Sequence, residues 1–278
     1  MKKFYTLIAT AVMIAFCGCA GTTPEAEAGV KIEKEVATYK IAPYVSVDEA
    51  KAKLAAAGFE VVGSYKPFEN GTTLLFTNNA MKAMANKPSR GLAAVGRILV
   101  DDERKQISIA NPVYFGKAFM QKEYSHATAS AELAALEKAF GPCKNSGDKW
   151  EFDGLAGYHF MVGMPYYEDM DLVGEGSTAD LVAKAQKAKG TTAVVKIGED
   201  RYVAFVELDR RTNGFLKKIG TQNGEILPWA VLIEGGQAKA LSAKYIIAIS
   251  YPAFTMTEFM GIATVPGAVA TDIKKIFK

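Results

Sequence analysis

Beyond residue 35 the chain alternates helical spacing with short apolar runs, and it goes through the same list twice. In the first pass Ser46 and Glu49 form a capping-box pattern, Gly58 supplies a stop, and the stretch between them, VDEAKAKLAAA, is made of good helix formers. Apolar runs then predict strands at 59–65 (FEVVGSY), 72–77 (TTLLFT), 92–100 (LAAVGRILV) and 105–110 (KQISIA). A short helix at 80–86 stops before Pro88. Asn70-Gly71 marks a tight turn, and Asp101-Asp102-Glu103 joins the last two strands. After Asn111-Pro112 comes an aromatic stretch, YFGKAF. A helix near 130–140 then puts Leu133, Leu136 and Phe140 on one face, ahead of Gly141.

The second pass opens with a helix from Ser177 to Gly190. Strands are predicted at 191–197 (TTAVVKI), 202–208 (YVAFVEL), 229–234 (WAVLIE) and 244–250 (KYIIAIS), with a short helical piece, GFLKKIG, before the third. Tyr251-Pro252 and a last helix at 268–277 close it. Matching landmarks recur in unbroken order at separations of 129 to 140 residues, from Ser46 and Ser177 to Phe140 and Phe277. This predicts an α/β chain of the α+β type: two tandem two-layer units, each a mainly antiparallel sheet with helices packed on a face. The units span 36–141 and 174–278, and a connecting segment occupies 142–173. The endings ISIANP (107–112) and IAISYP (247–252) pair in this reading, so Pro112 and Pro252 are expected at equivalent sheet ends.

The run from VSVDEAKAKLAAAGFEVV through LLFTNNAMKAMA, GRILVDD and ISIANPVYFGKAF resembles the family called domain of unknown function 302. The first unit, about 46–140, carries the pattern well. The second, about 177–277, carries it weakly, with Tyr251 where Asn or Asp is expected. The resemblance implies a two-layer α/β unit often paired as dimers, so that a tandem copy would supply both halves of a pair. It brings no catalytic residues.

The first residues change the picture of where such a protein works. Lys2 and Lys3 precede an apolar run of 13 residues, Phe4 to Phe16, which fits a secretory signal and falls short of a membrane span. Gly18 before Cys19 resembles a lipobox, so residues 1–18 read as a lipoprotein signal peptide. Cys19 reads as the lipidated residue, and 19–35 as a flexible tether too poor in large apolar groups to fold. The membrane, reached through lipid on Cys19, is then the first expected partner. The protein faces the periplasm, and Ala20 after the cysteine favours the outer membrane. Formal charge falls from +3 to +1 once Lys2 and Lys3 leave, and no basic block survives, which argues against nucleic acid. Cys143 is the one thiol left, read as semi-buried and structural.

Candidate chemistry concentrates in 142–173. Tyr158, His159, Tyr166 and Tyr167 are the expected binding residues, placed at the interface of the two units, because an aromatic ring with a polar tip serves both packing and recognition. Core packing of the same side chains is the competing account. His159, Met161 and Met164 offer soft ligands suited to copper or haem, but no third ligand lies near, and Met commonly fills cores. Glu168, Asp169, Asp171 and Glu175 lack calcium-loop spacing, and Gly174-Glu-Gly176-Ser177 lacks a phosphate-loop lysine. His126 reads as exposed in a polar loop. No catalytic residue, cofactor or metal is assigned. The expected function is non-catalytic binding of an unidentified periplasmic protein or small molecule. An enzyme without a linear motif, and metal or haem handling through His159 and its methionines, are the alternatives. A pocket lined by perturbed carboxylates would favour the enzyme, and an open apolar patch would favour binding.

Overall fold

A computed structural model describes residues 32–278 of the 278-residue chain. The expected signal, Cys19 and the tether up to residue 31 lie outside the described residues. Within them, no helix is long and apolar enough to cross a membrane.

The first half runs β1 (Glu35–Ala37), β2 (Tyr39–Pro43), α1 (Val47–Ala56), β3 (Glu60–Phe68), β4 (Gly71–Thr77), α2 (Asn79–Ala85), β5 (Gly96–Asp101), β6 (Gln106–Ala110), α3 (Pro112–Met120) and α4 (His126–Phe140). Two short strands, β7 (Lys144–Asn145) and β8 (Lys149–Glu151), follow. The second half runs β9 (Asp171–Glu175), α5 (Thr178–Lys187), β10 (Thr191–Gly198), β11 (Arg201–Val206), α6 (Arg210–Asn213), α7 (Leu216–Ile219), β12 (Trp229–Glu234), β13 (Gln237–Ala240), α8 (Ala243–Ser250), α9 (Met256–Gly261) and α10 (Val265–Ile276). All strand pairs are antiparallel. The first sheet has the order β3-β4-β5-β6-β2-β7, the second β10-β11-β12-β13-β9, and β1 pairs with β8 apart from both.

Apart from β7 at the edge of the first sheet, the two halves therefore share one succession of elements and one strand order, within an α+β fold of sheets packed against helices. The likeness reaches details. β3–β4 breaks register between Val61 and Gly63, as β10–β11 does between Thr191 and Ala193. Ser46 and Ser177 cap α1 and α5 by accepting from Glu49 N and Asp180 N. Lys53 Nζ donates to Ala139 O at the end of α4, and Lys184 Nζ donates to Phe277 O just past α10.

The correspondence is not the one the prolines suggest. Residues 244–250, expected as a strand, lie in α8, the counterpart of α3; the strand that corresponds to β6 is β13. Pro112 opens α3, whereas Pro252 follows the end of α8, so the two are not equivalent. An apolar run buried on every side carries no period, and packing decided the conformation. Likewise YFGKAF lies in α3. His126 is the first residue of α4, not a loop residue, and its ring nitrogens meet Tyr124 Oη at 3.0 Å and Ser130 Oγ at 3.2 Å. β9 begins at Asp171, inside the stretch read as connector.

Strand alternation divides the first sheet into two faces. Leu74, Phe76, Ile98, Val100, Ile107 and Ile109 pack with Leu54 of α1 and with Leu136 and Phe140 of α4 in one core. The opposite face, with Leu75, Leu99 and Arg97, turns toward the second half. There the halves exchange equivalent pieces. The 3₁₀ turn Gly91–Ala94 lies on β11 and β12, and the 3₁₀ turn Thr221–Ile226 lies on β3, β4 and β5. The edge strands meet at Gly63, where a Cβ would stand 3.1 Å from Thr192 Cγ2 and 3.3 Å from Ala193 Cβ. Like meeting like is the pattern of an isologous contact between two copies, here built into one chain.

Candidate functional site

A partly enclosed chamber of about 100 Å³ lies at this seam, several times the room one water needs. Tyr39 of β2 and Arg97 of β5 face it from the first sheet, and Phe205 of β11 and Ala230 of β12 from the second. Phe115 and Phe119 of α3, Ile246 of α8 and Met84 of α2 complete an apolar, aromatic wall. Two carboxyls and one guanidinium interrupt it: Glu132 of α4, Glu225 of the Thr221–Ile226 turn, and Arg97.

Each is placed by its own element. Arg97 sits one position from Ile98, so alternation that sends Ile98 to the helices sends Arg97 to the seam. Its Nη1 donates to Glu225 O and Ile226 O, both at 2.7 Å, and its guanidinium carbon stands 5.3 Å from the Phe205 ring centre. Burial lowers its pKa to about 10, so it stays charged at neutral pH. Thr73 Oγ1 donates to Gly224 O at 3.2 Å, and these three bonds hold the turn that carries Glu225 against the first sheet.

Glu225 is 2% exposed, and neither carboxyl oxygen has a well-formed hydrogen bond, although Ser108 and the residue's own N–H lie near enough to favour its charged form. Burial pushes it up to about 7; Ser108 and Arg97 favour its charged form without offsetting that burial. Among the described residues, buried polar side-chain atoms without a well-formed hydrogen bond occur at Thr38, Asn213, Tyr245 and Glu225, and of these only Glu225 lines the chamber. Glu132, itself half-buried, falls on the stripe of α4 that carries buried Ala129, Leu136 and Phe140. Burial alone pushes it up to about 8. In a second groove, at Asn86, Arg201, Glu234 and Lys239, the buried carboxyl is already paired: Glu234 takes Arg201 at 2.5 Å and Lys239 at 3.5 Å.

The residues expected from sequence divide between packing and surface, and none of the four lines the chamber. Tyr158 is buried, and its Oη donates to Ala248 O of α8 at 2.9 Å. Tyr167 is buried against Phe119 and Tyr245, donates to Ser89 O at 2.7 Å, and lies under the Arg90 guanidinium. Both thus sit at the interface of the halves as ties between them. Tyr166 is 47% exposed and its ring centre is 4.4 Å from that of His159, whose Nδ1 meets Met161 O at 2.8 Å. Glu168, itself exposed, pairs with buried Arg90 at 2.7 Å beside Glu123, which pins the connecting segment to the first half. Ser177 and Gly174 serve a helix cap and the close approach of Phe277. Cys143 is partly buried, and burial raises its thiol pKa. Among the described residues no group of three or more His, Cys, Asp or Glu side chains could hold a metal ion.

The chamber can hold a small, mostly apolar molecule and offer it two acid groups and one cation. No family model, curated protein or solved structure matches the chain.

Proposed function

We propose that this is a lipid-anchored envelope protein, tethered through Cys19 and facing the periplasm, that binds a small molecule in the chamber between its two halves without transforming it. The outer membrane is the favoured site, and domain of unknown function 302 the proposed kinship of each half. The observation that carries the binding reading is Glu225: a carboxyl buried at the chamber wall with no well-formed hydrogen bond to either oxygen. Leaving such a group unpaired is costly, and a ligand group that completes it recovers that energy. Native mass spectrometry of the full chain, released gently from its own membranes, should show a bound small molecule that denaturation removes. A preparation that is empty at every pH tested would refute binding. Cys19→Ala should leave the precursor uncleaved, since the thiol is the acyl acceptor; mature-sized, membrane-bound protein from that variant would refute the anchor.

A second reading rests on the raised pKa values of Glu132 and Glu225. Two carboxyls poised near neutrality in a cleft are suited to general acid–base work. The binding reading stands ahead of it because no chamber-lining nucleophile is hydrogen-bonded to a base among the described residues. Recovery of a chemically altered molecule after incubation with the bound species would reverse that order.

A further inference from the structure

The charges at the seam do not balance. Arg97 is the one guanidinium facing the chamber, and it is engaged: two backbone carbonyls take its Nη1, the Phe205 ring lies 5.3 Å away, and Glu225 feels its charge. Glu225 is further faced by Asp101, Ser108 and Tyr39 of the first half and by Tyr251 of its own. Glu132 enters from α4, a different wall, and no ionisable group influences it. One cation therefore faces two carboxyls without bonding either: Arg97 influences Glu225 through space, and Glu132 has no charged neighbour at all. What the chamber lacks is a free donor with positive charge: Arg97 is engaged, and the donors on Tyr39, Trp229 and Ser250 are neutral. The rest of the wall suits such a guest, because aromatic faces such as those of Phe115 and Phe119 attract cations.

We propose that the seam chamber is a site for a small organic cation, an amine on an apolar body, whose nitrogen is received by the Glu132 carboxyl and whose body packs against the rings of α3. This rests on the binding reading above and narrows it to a ligand class. An amine cation needs Glu132 ionised, whereas the empty chamber keeps it largely protonated at pH 7. Binding therefore drives a proton from the carboxyl to solvent. Uptake of the cation strengthens as pH rises toward about 8, and the proton release disappears above that value.

Titration calorimetry on the full-length chain in mild detergent tests this with three probes of one shape: 2-phenylethylamine, 2-phenylethanol and 3-phenylpropionate. The amine should bind at least about tenfold more tightly than the alcohol. Its apparent heat at pH 7 should differ between phosphate and Tris buffers, which reports the released proton on unaltered protein. Glu132→Gln should bring the amine to the affinity of the alcohol and abolish the buffer dependence. Tighter binding of the carboxylate or the alcohol would overturn the cation assignment while leaving a small-molecule chamber in place. No binding of any probe at millimolar concentration would overturn it too, and native mass spectrometry of the endogenous species would then decide separately whether the chamber is a site at all.

Discussion

Replacing Glu132 by Gln should stabilise the protein in a way that only pH reveals. The Glu132 carboxyl faces the chamber, and burial alone lifts it from an ordinary 4.5 to about 8. Between those values the folded chain holds the proton and the unfolded chain has released it. Folding then becomes less favourable as pH rises through the window and levels off above about 8. At about 1.4 kcal/mol per pH unit, the penalty is about 3 kcal/mol at pH 7 and about 5 kcal/mol at pH 9. These are upper values, because water entering the chamber solvates the carboxylate. Glutamine has nearly the shape of the protonated acid and never ionises. The variant and the parent should therefore unfold at the same denaturant midpoint near pH 4.5, followed by the fluorescence of Trp150 and Trp229. At pH 7 the variant should gain up to about 3 kcal/mol, seen also as a melting point several degrees higher at about 2–4 °C per kcal/mol. Glu225 has a shift of the same sign, but it is present in both proteins and cancels. A stability difference that is constant from pH 5 to pH 9, or a variant weaker than the parent at pH 9, would refute the burial argument.

Other expectations follow from the seam. A Cβ on Gly224 would stand 2.9 Å from Pro67 Cγ and 3.1 Å from Phe68 Cε1, so Gly224→Ala should lose about 1–3 kcal/mol in urea unfolding. Tyr167→Phe removes the bond to Ser89 O and should lose about 1 kcal/mol, whereas Tyr166→Phe, altering an exposed ring, should melt with the parent and bind ligand unchanged. Weakened binding in Tyr166→Phe at unchanged stability would restore the connecting segment as the site.

The outline of the fold could be read because its helices carry their punctuation in sequence. Ser46, Ser125 and Ser177 each cap the helix that follows, and Gly58 and Gly141 adopt the positive φ angles that end theirs. The second half misled at KYIIAIS, where β-branched residues in an unbroken apolar run fit a buried strand as well as the buried helix they form. A correcting signal was present nine residues earlier. Gly235-Gly236, with φ of +56° and +74°, makes a two-residue turn from β12 into β13, and a Gly-Gly pair after a strand announces a hairpin. Once QAKA is a strand, the next segment holds the place of α3, and the equivalence of the prolines dissolves.

The site was harder to read for a different reason. The connecting segment attracted notice by composition, yet Tyr158 and Tyr167 spend their hydroxyls on backbone carbonyls of the two halves, as seals at a seam do. The residues that face the chamber looked ordinary one at a time. Glu225 stands in TQNGEI, which reads as a polar loop until the first sheet folds over it. Two of the three were nonetheless marked by conflict with their own pattern. Arg97 interrupts an apolar strand, and Glu132 occupies a helix stripe otherwise made of Ala129, Leu136 and Phe140. A charge on a face that must be buried costs several kcal/mol unless something meets it, so such a position is a stronger pointer than a cluster of tyrosines in a connector. The duplicated architecture explains why the conflict falls here. Exchange of the turns 91–94 and 221–226 covers both sheets, but the halves have diverged in the side chains they bring, with Arg97 where the second half has Ala230. At the seam an asymmetric set of charges can therefore be enclosed by a nearly symmetric fold, and it is in this inequality, rather than in either half alone, that a ligand would be recognised.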